Sequence, residues 1–350
     1  MILLSGGWPK VRYIDGFAGR GSYQSDDGSV FGSPIELLRL LERENREAEV
    51  ETVFIERDPR YFEELKAAVM VQQKHRPQLI PPLLINDTFV AGGVQLRELE
   101  TRPTFLFADP CGVDGLDFHT IGELTASGGS ELLLFFNYAG VSRIAGLEHK
   151  EGKTLDRLLG SPKSTKYLLG KLKSLDAGEA REREILRVYT RLLEQQQRWE
   201  YVVPFRMEAE SSARTSHYFI FATKNKTGFA IMKDIMWGLG HDGQEKGGLM
   251  YAQKSRTDQT AFFHPAAIEQ REAILLQIPA EGIPYSFFTD DLPRQRRNLL
   301  VAPVYRKRLR ELEAAGLIRL LMNGNPRERA RRSKTGGVRR PKEVTVHRVS

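Results

Sequence analysis

The chain has 350 residues of which 41% are hydrophobic, enough to bury one sizeable core and a smaller second one, and no apolar run approaches the length of a membrane span. Its single cysteine, Cys111, excludes an internal disulfide and an all-cysteine metal or iron–sulfur site within one chain. The net charge of +7 is uneven: Arg294 to Ser350 holds 17 Lys+Arg against 4 Asp+Glu, a balance of +13, which leaves −6 on the rest and points to a polyanionic partner for the tail.

The opening residues lack the charged n-region of a signal peptide, so a cytoplasmic protein is expected. Val11 to Asp15 reads as the first strand, emptying into Asp15-Gly16-Phe17-Ala18-Gly19-Arg20-Gly21. Glycine admits unusual φ angles and lets a backbone press against a ligand without a Cβ in the way. The spacing is G-x-x-G-x-G, not the G-x-G-x-x-G dinucleotide fingerprint, and no helix follows at once. The loop suits a nucleoside-bearing ligand better than a pyrophosphate, and a plain structural turn is the alternative. The chain then runs as loop through Ser22 to Gly32 before Ser33-Pro34-Ile35-Glu36, which has the form of a capping box with proline at the first helical position.

A helix follows over Pro34 to Arg46, with Ile35, Leu37, Leu38, Leu40 and Leu41 on its buried side. Glu51 to Glu56 is a second apolar strand ending in an acid, and Asp58-Pro59 starts a helix carrying Tyr61, Phe62, Leu65, Ala68 and Val69 at helical spacing. Leu83 to Asp87 is the third strand, Thr104 to Asp109 the fourth, followed by Pro110-Cys111-Gly112, and Leu132 to Asn137 the fifth. Near-continuous hydrophobic strands alternating with helices indicate a parallel sheet covered on both faces. Four of the five place a carboxylate at the carboxyl end, where open α/β sheets bind ligands; a single such acid would read as a helix cap.

From about 147 to 198 the pattern is helical and charged, read as surface helices or an inserted substrate lid. Tyr201 to Met207 and Ser216 to Ala222 are strands expected to pair as a hairpin at the sheet edge, and Gly228 to Trp237 is a helix. Residues 1–240 thus form the first domain and 241–262 a glycine-rich linker. In 263–350, Pro265 to Ile278, a short element at Tyr285 to Leu292, and Leu299 to Ala315 are helical. Leu317 to Met322 and Val344 to Val349 are strands flanking a basic turn with Arg327, Arg329, Arg331, Arg332, Lys334, Arg339 and Arg340. That pattern describes a winged helix-turn-helix whose arginines contact phosphates without sequence preference; the alternative is a solvated basic tail.

Seven strands, five parallel and two closing as a hairpin, with acids ending the first four, resemble the Rossmann-like class I S-adenosylmethionine-dependent methyltransferases. The resemblance implies S-adenosylmethionine as cofactor: Asp15, Gly16, Phe17, Ala18, Gly19 and Gly21 around its methionine and ribose, Glu56 and Arg57 at the ribose hydroxyls, Asp87 and Thr88 beside the adenine amine, and Asp109, Pro110 and Cys111 facing the methyl donor. Tyr13 to Gly19, Gly32-Ser33-Pro34, Phe54 to Pro59 and Phe107 to Gly112 look more specifically like the three-Cys-motif partner proteins, which join such a body to a winged-helix tail and imply a radical-type three-Cys-motif protein as partner. The family's body opens with a helix ahead of strand one, whereas about ten residues precede it here. Amino-methylating nucleic-acid enzymes carry [Asp/Asn]-Pro-Pro-[Tyr/Phe] at the fourth motif, where the aromatic stacks on an extruded base; Cys111 and Gly112 replace that proline and aromatic. Phe135, Phe136 and Tyr138 are alternative stacking residues or core. His119 and His149 show no ligand spacing, and no metal is expected.

The function that follows is methyl transfer to nucleic acid, DNA before RNA, or to something bound to it. A non-catalytic DNA-binding regulator with a nucleoside-binding body is the alternative. An NAD-dependent oxidoreductase fits less well, because Gly21 to Glu56 exceeds the roughly 20 residues of the dinucleotide fingerprint.

Overall fold

The computed structural model describes residues 10–25, 28–46, 49–75, 80–147, 152–176, 178–208, 215–239, 250–251, 273–295, 301–322, 325–326 and 344–349. In chain order these form β1 (Val11–Asp15), β2 (Ser22–Ser25), β3 (Gly28–Phe31), α1 (Ser33–Arg43), β4 (Val50–Ile55), α2 (Pro59–His75), β5 (Leu83–Ile85), α3 (Phe89–Leu96), β6 (Thr104–Ala108), α4 (Phe118–Leu124) and β7 (Glu131–Phe136). They continue with α5 (Tyr138–Gly146), α6 (Gly152–Leu159), α7 (Pro162–Leu172), α8 (Glu179–Gln196), β8 (Tyr201–Glu208), β9 (Thr215–Thr223), α9 (Lys226–Leu239) and β10 (Met250–Tyr251). The last part holds β11 (Ile283–Pro284), α10 (Ala302–Ala314), β12 (Ile318–Met322), β13 (Asn325–Pro326) and β14 (Val344–Arg348).

The main sheet has the order β10-β8-β9-β7-β6-β1-β4-β5. β5, β4, β1, β6 and β7 are parallel, β9 runs antiparallel to β7, and β8 pairs antiparallel with β9. The five apolar runs are therefore a doubly covered parallel sheet and the hairpin closes it, the mixed sheet expected of the class I methyltransferase fold. Met250 and Tyr251, inside the stretch expected to be a linker, pair with Arg206 and Met207 of β8.

Each face of the sheet receives the side chains that strand alternation directs to it. Tyr13 and Phe54 pack with Ile35, Leu38 and Leu41 of α1 and Leu65 and Val69 of α2. On the other face Ile14, Val53, Leu106, Leu132, Leu134 and Phe136 meet Phe89, Ile121 and the helices expected as a peripheral insertion. Those helices are a wall of the core: Leu155, Leu158, Leu168, Ile185, Tyr189 and Leu193 are buried within that cluster. α6 to α8 thereby cover apolar area that α4 and α5 alone leave open.

Local signals place the helices that carry the site. Thr88 caps α3 by accepting from Ala91 N (3.2 Å), Asp117 caps α4 by accepting from Thr120 N (2.7 Å), and Asn137 caps α5 by accepting from Gly140 N (2.7 Å).

The C-terminal residues build a second sheet, β11-β14-β12-β13, over a core of Phe288, Tyr305, Leu309, Leu312, Ile318, Leu320 and Val346. α10 stops at Gly316, whose φ of +72° suits the residue that ends a helix. Residues 273–276 are helical, and a π-turn over Phe287–Asp291 runs into a 3-10 turn over Leu292–Arg294. The fully buried Lys233 of α9 joins this unit to the body, donating from Nζ to Pro293 O at 2.5 Å beside the Phe229 ring. Among the described residues no helix is long and apolar enough to cross a membrane, and no group of three or more His, Cys, Asp or Glu side chains is placed to hold a metal.

Candidate functional site

β1 lies at the point where the connections reverse direction, with β4 on one side and β6 on the other, and ligands of open α/β sheets sit outside the strand ends at that point. The glycine loop leaves β1 there and is stitched to both neighbours. Gly16 N donates to Phe107 O and Ala18 N to Ile55 O, each at 2.9 Å. Gly19 N donates to Glu56 Oε2 at 2.8 Å. The loop's glycines answer to close approach: a Cβ on Gly16 would lie 2.8 Å from the Phe89 ring, and Gly19 and Gly21 have φ of +64° and +76°.

Asp15 acts from behind this loop. It is fully buried, with Oδ1 accepting from Phe17 N (3.1 Å) and Oδ2 from Ser33 Oγ (2.6 Å). The capping box expected at Ser33 is therefore not formed. Gly32 is the N-cap of α1, without a side-chain cap bond, and the Ser33 hydroxyl goes to the carboxylate, a stronger acceptor than a neutral one. Pro34 still sits in the first turn. Burial pushes Asp15 up to about 7; the bonds from Ser33 and Phe17 oppose this, and the charges of Asp109 and Glu56 add to it. Asp109, at the end of β6, is pushed up by burial to about 6.

Glu56 is buried and holds two backbone amides, Gly19 N on Oε2 and Asp58 N on Oε1 (2.7 Å). Arg57 beside it is exposed. Asn86 ties β5 to this point by donating from Nδ2 to Glu56 O at 2.8 Å. Asp87 accepts from Thr88 N (2.8 Å) and Gln95 Nε2 (3.2 Å), so that acid and Thr88 together set the start of α3. Past Asp109, Pro110 is buried and Cys111 exposed, and a Cβ on Gly112 would meet no atom within 4 Å. Asp15, Glu56 and Asp109 are thus close enough to act on one another, while Asp87 lies one strand further out.

No protein-family model matches this chain, and no curated protein sequence does. Solved structures share parts of its outline at low identity. A protein from Legionella pneumophila described as DUF519 is 10% identical, with 71% of this chain and 93% of that one covered and a TM-score of 0.39. An O-methyltransferase from Bacillus cereus in complex with SAH is 12% identical, covering 64% and 77%, TM-score 0.34. The O-methyltransferase of tomaymycin synthesis from Streptomyces achromogenes, in complex with SAM, is 14% identical, covering 62% and 74%, TM-score 0.35.

Three residues of the site escape a reading of motifs. Ser33 was expected at a cap. Phe89 packs under Gly16 and stacks on Phe17 with ring centroids 5.1 Å apart. Tyr23 lies in the stretch expected to be plain loop, where β2 and β3 form an antiparallel ribbon with Tyr23 opposite Val30. The turn-forming run Ser25-Asp26-Asp27-Gly28 was the signal available in the sequence. Of the stacking candidates, Phe136 is buried against Tyr189, Phe135 is stacked on His217 with centroids 4.3 Å apart, and Tyr138 stands edge-on to Tyr218. Arg327, Arg329, Arg331, Arg332, Lys334, Arg339 and Arg340 lie outside the described residues.

Proposed function

We propose that this chain is an S-adenosylmethionine-dependent methyltransferase whose substrate is nucleic acid, DNA in the first instance, or a molecule bound to it. The observation that carries the reading is the glycine loop laid across β4, β1 and β6 at the switch point, tied by Gly19 N to Glu56 and flanked by Asp109. The residues fit the cofactor. The glycines set the loop's shape, Gly19 and Gly21 through positive φ and Gly16 through its approach to Phe89; Glu56 would meet the ribose hydroxyls and Asp87 with Thr88 the adenine, from neighbouring strand ends. S-adenosylmethionine brings a methyl group already activated on a sulfonium, so the protein's share is orientation and exclusion of water. Asp109 would accept the acceptor's proton or orient its donor, and Pro110 and Cys111 would form the wall beside it. The substrate class is supported by the +13 balance of residues 294–350.

Calorimetry with S-adenosylmethionine, and tritium transfer into DNA, RNA and lysate protein side by side, test this. No heat at millimolar ligand overturns it. A specific feature favours a second reading, in which the body binds the nucleoside and transfers nothing while DNA or a radical-type partner protein docks on the tail. Cys111 and Gly112 stand where a proline and an aromatic would clasp a target base. Binding without label transfer to any acceptor selects it. Replacing Arg331 and Arg332 by Glu is expected to abolish retention on nucleic acid at low salt and leave cofactor binding intact.

A further inference from the structure

Between the glycine loop and α1 the chain inserts the β2–β3 ribbon, closed at its base by Gly32 N donating to Gly21 O at 2.8 Å. The ribbon is held against α1 by Phe31, whose ring carries the Arg39 guanidinium 4.5 Å from its centroid. It brings one side chain back over the loop. A Cβ built on Gly19 would lie 2.6 Å from Tyr23 Oη, and one on Gly32 would lie 3.1 Å from Tyr23 Cε2, so the phenol lies along the backbone with its hydroxyl on Gly19. Its pKa is raised by burial first and then by Cys111; Arg20 opposes this, and Asp15 and Glu56 add to it. Tyr23 nonetheless remains 45% exposed, so it stands at the surface beside Gly19 and outside the core.

Glu56 and Asp109 supply carboxylates at the strand ends, with Asp15 buried behind the loop, and these suit an ammonium, a sulfonium or ribose hydroxyls; Arg20 is the cation that acts on the phenol. Arg20 is drawn outward, its guanidinium over the Tyr61 ring at 4.5 Å and its Nε 3.4 Å from Glu64 Oε2. A zwitterionic ligand also brings a carboxylate, and an acid-rich rim repels it unless a donor stands there.

We propose that Tyr23 is the specificity residue for the amino-acid end of the ligand, its phenol donating a hydrogen bond to the ligand carboxylate where that group passes Gly19. This rests on the methyltransferase reading above and adds to it the residue that separates a ligand with an amino-acid tail from a bare nucleoside. The β2–β3 ribbon is then the clamp over that tail, and Gly19 is glycine partly because a side chain would displace the phenol.

The test is calorimetry on the full chain and on Tyr23→Phe, with S-adenosylhomocysteine and with 5′-methylthioadenosine, which has the same nucleoside and thioether but no amino-acid tail. One hydrogen bond to a charged group predicts roughly tenfold weaker S-adenosylhomocysteine binding by Tyr23→Phe, with methylthioadenosine unchanged within about twofold. Tyr23→Gln, which restores a donor without the ring, recovers part of the loss. Equal weakening of both ligands, or no weakening of either, overturns the assignment of Tyr23 and leaves the methyltransferase reading standing. A wild-type chain that binds neither ligand overturns both. An unchanged thermal midpoint for Tyr23→Phe shows that the ribbon is intact.

Discussion

Replacing Asp15 by Asn should make the protein more stable at pH 8 and less stable at pH 4, with the two stability curves crossing in between. Asp15 is fully buried, and its pKa of about 7 lies above the 3.8 of a free aspartate. A raised acid binds its proton more tightly when folded, so its contribution to stability is greatest at low pH, declines from about pH 4 to 7, and is constant above. The difference amounts to about 4 kcal/mol of cost at pH 8, at 1.36 kcal/mol per pKa unit. Asn keeps an acceptor for Phe17 N and Ser33 Oγ but adds buried amide donors, which cost about 1–3 kcal/mol if unpaired. The net gain at pH 8 is then about 1–3 kcal/mol, becoming a loss of similar size once Asp15 is protonated in both the folded and the unfolded chain. Urea unfolding followed by tryptophan fluorescence, with Trp199 in the main core, at half-unit steps from pH 4 to 8 gives the two curves. Parallel curves, or an Asn variant weaker at every pH, would refute the claim that Asp15 is an ionised group held at a cost.

Ser33→Ala removes a donor that opposes the rise of Asp15, so it should destabilise by about 1.5–3 kcal/mol at pH 8 and by less at pH 5, read from the same unfolding curves. Gly19→Ala places a side chain at φ +64°, at a cost of about 1–2 kcal/mol, and against Tyr23 Oη; adding Tyr23→Phe should return only the clash part, which a double-mutant cycle on melting temperature separates. Burial holds Lys233 down at about 8 against the 10.5 of a free lysine, so the cost of burying its charge lapses and stability should rise as pH goes from 8 towards 10, while the neutral amine donates a weaker bond to Pro293; Lys233→Met should lack that rise, as urea unfolding will show. If Asp109 works ionised, label transfer should rise through about pH 6, and Asp109→Asn should lose that limb together with roughly 10²-fold or more of the rate.

The sheet was legible because each parallel strand is a continuous apolar run, and such runs survive any detail of packing. Their parallel direction followed from the alternation with helices; their order, with β1 between β4 and β6, did not. The role of the strand-end acids was less legible, since an acid that receives a ligand and one that receives the protein's own amides have the same one-letter signature. Asp15 and Glu56 show this, each holding backbone N–H groups of its own loop. Ser33 was misread for a related reason: a serine three residues before a glutamate satisfies the capping pattern, but a buried carboxylate from a distant strand competes for its hydroxyl, and distant partners leave no trace in local spacing. The helices over 152–196 were underestimated because their high charge content hides a leucine stripe that the sheet face requires.

Those internal hydrogen bonds bear on how the site would work. With Asp15 spent on Phe17 and Ser33, and Glu56 on Gly19 and Asp58, the loop's shape is set before any ligand arrives, and the loss of conformational entropy on binding is correspondingly small. Above about pH 7, where Asp15 is ionised, it and Glu56 also create a potential at the loop that favours cations over neutral thioethers. A preformed, electronegative loop of this kind should bind the sulfonium more tightly than the demethylated product, the order that helps an enzyme release product. Asp15 contributes to this preference from behind the backbone and not by direct contact, so Asp15→Asn should narrow the difference between the two affinities while leaving the loop intact. A calorimetric ratio of S-adenosylmethionine to S-adenosylhomocysteine affinity that stays the same in Asp15→Asn would show that the field of these acids does not reach the ligand.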